Sequence, residues 1–91
     1  LRTDPNFADA HQTLGDLLTA KQQWPQSIAH YQEALRLQPG NSRFQLSLGA
    51  ALAASGNPGA ALPHLQKAAT AADPAIRKQA DTLLQRLRQA R

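Results

Sequence analysis

Ninety-one residues are enough for one small domain, and 42% hydrophobic content with only 4% aromatic residues requires a core built from aliphatic side chains. The absence of cysteine excludes disulfides, thiolate chemistry and cysteine-based zinc sites, and it leaves the compartment open. The net charge of +4 is uneven: basic and acidic residues balance from Leu1 to Asp73, so the whole excess falls on the last segment, where Arg77, Lys78, Arg86, Arg88 and Arg91 oppose only Asp81.

Alanine and leucine supply most of the apolar content, valine is absent, and isoleucine occurs only at Ile28 and Ile76. That bias favours helix over sheet and predicts an all-α protein. No apolar run approaches the roughly 18 to 20 residues that span a bilayer, so direct membrane insertion is not expected. The chain has no methionine and opens on Leu-Arg-Thr-Asp-Pro, which leads us to expect a stretch of a longer protein.

Residues 1–7 read as a tail and linker. From Ala8 to about Lys21, residues Leu14, Leu17, Leu18 and Lys21 follow the i, i+3, i+4, i+7 spacing that places leucines on one stripe of a helix. Trp24-Pro25 punctuates the chain, proline being tolerated in a first helical turn. From Pro25 to Leu37 the stripe is Ile28, Tyr31, Ala34 and Leu35, and Gln38-Pro39-Gly40-Asn41 stops it. A third helix is expected from about Ser42 to Ala54. In Ser55-Gly56-Asn57-Pro58 the glycine suits a left-handed stop, Asn57 a cap and Pro58 the first helical position. The fourth helix should reach about Ala71, with a late start or a kink at Pro63, whose ring crowds the carbonyl of Gly59. Asp73-Pro74 then caps and opens a fifth helix with a continuous stripe of Ile76, Ala80, Leu83, Leu84 and Leu87.

The helices recur. Leu14/Leu48, Gly15/Gly49, Leu18/Leu52, Ser27/Ala61, His30/His64, Gln32/Gln66 and Ala34/Ala68 are each 34 residues apart, as are Pro5 and Pro39. A fixed period of this size marks a unit that buries its apolar face by stacking on copies of itself. The units are 8–41 and 42–73, followed by 74–91 as a capping helix or the first helix of another repeat. Gly15 and Gly49 let the two helices of a hairpin approach closely.

These residues resemble the tetratricopeptide repeat, whose pattern is W-x2-L-G-x2-Y, then A-x3-F, then P. His11-x2-Leu14-Gly15-x2-Leu18, Ser27-x3-Tyr31 and Pro39 hold those places in the first unit. Gln45-x2-Leu48-Gly49-x2-Leu52 and Ala61-x3-Leu65 hold them in the second, where the closing proline, Pro74, comes one residue late through an insertion near Thr70 to Ala72. His11 and Gln45 replace the large aromatic, Leu18 and Leu52 a tyrosine, and Ser27 an alanine.

The resemblance implies an α-α superhelix of hairpins, a solenoid whose first helices line a concave groove for a peptide or partner helix. By analogy the groove-facing residues are Asp9, Gln12, Asp16 and Thr19 in the first unit, Arg43, Leu46, Ala50 and Ala53 in the second, and Lys78, Asp81, Gln85 and Arg88 in the last helix. Relatives that clamp chaperone tails use Lys and Asn where this chain has Gln12, Asp16, Leu46 and Ala50, so that use is not expected. A substrate-selecting arm of a larger enzyme, or a structural module that self-associates through its open ends, are the alternatives.

Catalytic chemistry is not expected. The serines lie in no nucleophile elbow, and no glycine-rich loop cradles phosphate. His30 and His64 have no His, Asp or Glu at the i+4 position of a helical metal site and repeat by duplication, so neither a metal nor a cofactor is expected. His11 and Trp24 read as packing residues. The basic last helix lacks the aromatics of single-strand binders, so it reads as a solvated face and no nucleic acid is expected.

Overall fold

The computed structural model describes residues 5–89. They form five helices: α1 (Pro5–Ala20), α2 (Trp24–Leu37), α3 (Ser42–Ala54), α4 (Pro58–Ala68) and α5 (Pro74–Gln89). Consecutive helices pack on each other, with α1 on α2 and α3 on α4 as hairpins, α2 on α3 between them, and α5 against both α4 and α3. The fold is all-α, sequential hairpins consistent with the expected repeat.

The boundaries follow local chemistry. Asn41 caps α3 by accepting the Phe44 backbone N–H on its Oδ1 at 3.2 Å. Asp73 opens α5 in the same way, accepting from the Ala75 N–H at 2.9 Å. Gly56 takes φ +89°, the left-handed stop that ends α3. Its equivalent one repeat earlier is Gln22, at φ +57°, so both hairpins use one turn geometry although only one carries the glycine that advertises it.

Four details differ from the sequence expectation. α1 begins at Pro5, inside the expected linker, and residues 1–4 lie outside the described residues. α4 starts at Pro58 without delay and carries Pro63 inside it, while Asn57 makes no side-chain cap. A surface helix keeps such a proline because the exposed Gly59 carbonyl has solvent in place of its helical donor. The helix ends at Ala68 rather than Ala71: the inserted residue is absorbed in turns from Lys67 and Ala68 to Thr70 and Ala71. Finally, the leucine stripe of α1 is not its packing face. Leu14 and Leu17 are exposed, Leu18 is half-buried, and the fully covered positions are Ala8, Gln12 and Gly15.

The hairpins close over the two repeat glycines. A Cβ on Gly15 would come within 2.6 Å of Tyr31 Cδ1, and one on Gly49 within 2.7 Å of Leu65 Cδ2 and 3.3 Å of the Leu65 backbone nitrogen. Tyr31 and Leu65 belong to the larger core cluster, with Leu46, Leu48, Ala51, Leu52, Ala61, Ala68 and Ala80. A second cluster of Ala8, Ala34 and Phe44 ties α1, α2 and α3 together. From α5 only Ala80 is fully buried. Leu83 and Leu87, on the expected stripe, are half-buried and pack against the larger cluster.

Gly49→Ala should therefore destabilise the fold. Leu65 is fully enclosed and cannot retreat, so overpacking costs about 1–3 kcal/mol, against a gain in helix propensity of about 1 kcal/mol. Denaturant unfolding of the two proteins gives the difference, and a more stable variant would show that the helices separate freely at this point.

Candidate functional site

A hollow among the described residues is lined by α1, α3 and α5 together with α2. It has a volume of about 360 Å³ and is lined by Asp16 and Thr19 of α1, Leu46, Ser47, Ala50, Ala51 and Ala54 of α3, and Gln79 and Leu83 of α5, with Trp24 and Tyr31 of α2 at its base. Its middle is small and aliphatic. A second hollow of about 340 Å³ shares Gln79 and Leu83 and continues along α5 past Lys78, Thr82 and Arg86. The concavity thus runs from a carboxylate on α1 to ammonium and guanidinium groups on α5.

The acidic end is an ordered cluster. Tyr31 is held by its ring against Gly15, which aims its hydroxyl across the hairpin. The hydroxyl donates to Asp16 Oδ1 at 2.6 Å and lies 3.1 Å from Thr19 Oγ1. Burial pushes the Tyr31 phenol up to about 12, with the hydrogen bond to Asp16 as the next cause, since a phenolate would face that carboxylate. Asp16 itself stays exposed, with its carboxylate fixed in place and open to a ligand.

The expected groove residues divide. Asp16, Thr19, Leu46 and Ala50 come together around the hollow. Leu46, expected on the surface, is buried and counts as core, showing the hollow only its edge. Gln12 does not face the groove. It is buried between α1 and α3, and its Nε2 donates to Ser47 Oγ at 2.7 Å and Asp16 Oδ1 at 3.3 Å, which makes it a strut between repeats. Ala53 packs against the core cluster. Asp9 and Arg43 are exposed outside the hollow, as are Asp81, Gln85 and Arg88, while Lys78 lines the continuation. On α5 the inward positions are Gln79 and Leu83. Tyr31 and Trp24 were missed because a groove read only from first helices ignores the α2 residues that reach it, and Ser47 because the family offset gives it no groove position although it bonds Gln12 across the repeat boundary.

The histidines form inter-helix bonds. His11 Nδ1 and His30 Nδ1 share a hydrogen bond of 3.0 Å, and in the second hairpin His64 Nδ1 donates to Gln45 Oε1 at 2.8 Å. His11/Gln45 and His30/His64 are equivalent pairs, so one bond recurs across both hairpins. Burial, and secondarily the charge of Lys67, hold His64 below the ordinary imidazole range. Among the described residues no three His, Cys, Asp or Glu side chains gather as a metal site.

Residues 15–56 match the family model described as TPR repeat. Over that stretch the chain is a tetratricopeptide repeat, a module that is typically non-catalytic and generally serves protein–protein interaction. Neither the curated proteins nor the solved structures yield a match. No described helix is long and apolar enough to cross a membrane.

Tyr31 is the only tyrosine, so tyrosinate absorbance reports this cluster directly. Its titration midpoint should lie near 12 and move down toward the ordinary value of about 10 in Asp16→Asn. Because the folded-state value is the raised one, its contribution to stability is complete below about pH 10 and lost as pH rises through about 12. A midpoint near 10 in the folded wild-type chain would mean that the hydroxyl is solvated rather than tied to Asp16.

Proposed function

We propose that the hollow framed by α1, α3 and α5 receives a peptide or helix of a partner protein. The observation that carries this reading is the polarity of the concavity. Asp16 stands at one end, Ala50, Ala51 and Leu83 in the middle, and Lys78 and Arg86 at the other end. Small side chains in the middle leave room for a backbone or an apolar side chain to approach closely. The ends favour a ligand with a basic group near Asp16 and an acidic group near Lys78, and such charges act mainly on orientation and association rate. The cluster behind Asp16 supports the reading as well, because a carboxylate fixed by Tyr31 costs a ligand little ordering.

Ala50 is half-buried at the rim, so Ala50→Glu should keep the helical circular dichroism of the parent. It should weaken binding of a partner recovered by pull-down at least about tenfold, because the new charge loses its water when the groove fills. Unchanged affinity in a folded variant would place the binding surface elsewhere, and loss of helicity would place Ala50 in the core.

A further inference from the structure

The acidic end of the hollow is an array of hydrogen-bond acceptors. A hydroxyl has one proton to give, and Tyr31 gives its own to Asp16 Oδ1 at 2.6 Å. With the phenol pushed up to about 12, that proton is in place throughout the ordinary pH range. The 3.1 Å bond between Tyr31 and Thr19 is then donated by Thr19, so the Thr19 oxygen has only lone pairs left for a ligand. Asp16 Oδ1 is used up inside the protein. It accepts from Tyr31 and, at 3.3 Å, from Gln12 Nε2, one donor for each of its two lone pairs. Gln12 cannot turn its amide over, because its carbonyl would then meet the carboxylate. Among the described residues Asp16 Oδ2 accepts no hydrogen bond, so an incoming group meets one carboxylate oxygen and one hydroxyl oxygen, on two residues tied to the same Tyr31 hydroxyl.

This pair of acceptors suits an ammonium and not a guanidinium. A guanidinium binds carboxylate most strongly through two parallel N–H bonds, one to each oxygen, and one of the two is already occupied. An ammonium is a compact charge whose protons turn toward whatever acceptors are present, here Asp16 Oδ2 and Thr19 Oγ1. Beside these oxygens the hollow, about 360 Å³ in volume, is lined by Trp24, Ala50, Ala51 and Leu83. A methylene stem lies along such a surface while its charged head stays at the exposed Asp16.

We propose that Asp16, Thr19 and the apolar wall beside them form a subsite for an unmodified lysine side chain of the partner, selected over arginine; this rests on the hollow being the partner's groove. Acetylation of that lysine removes the charge and two of its three N–H donors and adds a carbonyl oxygen against two acceptors, so the modified side chain is excluded.

An NMR titration of the isotope-labelled chain with the blocked amides of lysine, arginine, norleucine and Nε-acetyl-lysine tests this. Trp24 is the only tryptophan, so its indole N–H is a single reporter inside the hollow. The lysine amide should shift that signal and the backbone signals of Asp16 and Thr19, and bind at least about tenfold more tightly than the other three. Asp16→Asn should abolish the preference. Tyr31→Phe keeps the ring over Gly15 and frees Oδ1, so arginine should gain on lysine. Should that variant fold poorly by circular dichroism, Thr19→Val, which removes an acceptor at constant shape, should weaken lysine while leaving norleucine unchanged. Arginine or norleucine bound as tightly as lysine, or no saturable shift of these signals, would overturn the proposal. So would a lysine preference that survives both Tyr31→Phe and Thr19→Val. The groove reading is decided separately by Ala50→Glu and the partner, so it can stand where lysine selectivity fails.

Discussion

The close approach of paired helices at Gly15 and Gly49 is the constraint from which the other features follow. With no side chain at these positions, Tyr31 and Leu65 lie directly on the opposing backbone. That separation puts the equivalent polar pairs within hydrogen-bond reach, His11 with His30 and Gln45 with His64. A wider hairpin would lose these bonds and open a void along its whole length, because interiors tolerate little empty volume. The two hairpins share a geometry through their glycines and differ in chemistry through the residue each glycine meets.

That difference shapes the groove. In the first hairpin the residue over the glycine is a tyrosine, whose hydroxyl reaches the far side of α1 and orders Asp16 and Thr19. In the second it is a leucine, which ends within the core and leaves only aliphatic surface on α3. One repeat therefore contributes an acidic, hydrogen-bonded end and the next an apolar floor. Gln12 and Ser47 fasten the two across the repeat boundary at 2.7 Å, so the spacing between end and floor is set by a direct bond. The basic end comes from α5, whose exposed Lys78 and Arg86 line the continuation of the hollow.

The ends of the stack differ for a related reason. α5 concentrates its apolar residues on one side, with Ala80 buried and Ile76, Leu83, Leu84 and Leu87 packed against the cluster, and presents charge on the other. α1 instead has apolar residues on two sides, Ala8 toward α2 and Phe7, Leu14 and Leu17 away from it, the distribution of a helix built to be sandwiched.

The number, order and approximate limits of the helices were legible in the sequence. Breakers at Trp24-Pro25, Gly56-Asn57-Pro58 and Asp73-Pro74 act locally, through fixed proline geometry, left-handed glycine and side-chain caps, and such signals survive without tertiary context. The repeat offset likewise identified the glycines and the family resemblance, since duplication leaves a trace in sequence alone. The same offset failed where the two copies have different neighbours. Leu14 and Leu48 share a repeat position, yet one is exposed and the other enclosed, because only the second has a helix stacked on it. Gln12 reads as a groove residue by position and becomes a strut because Ser47 happens to lie opposite. Gln22 adopts a left-handed backbone with no glycine to announce it, since closure of the hairpin imposes that turn on whatever residue is there. The sequence by itself determined where the helices begin and end, because those interactions span a few residues; which face of each helix is buried, bonded or left open was decided by the tertiary structure, because burial depends on neighbours that lie a whole repeat away.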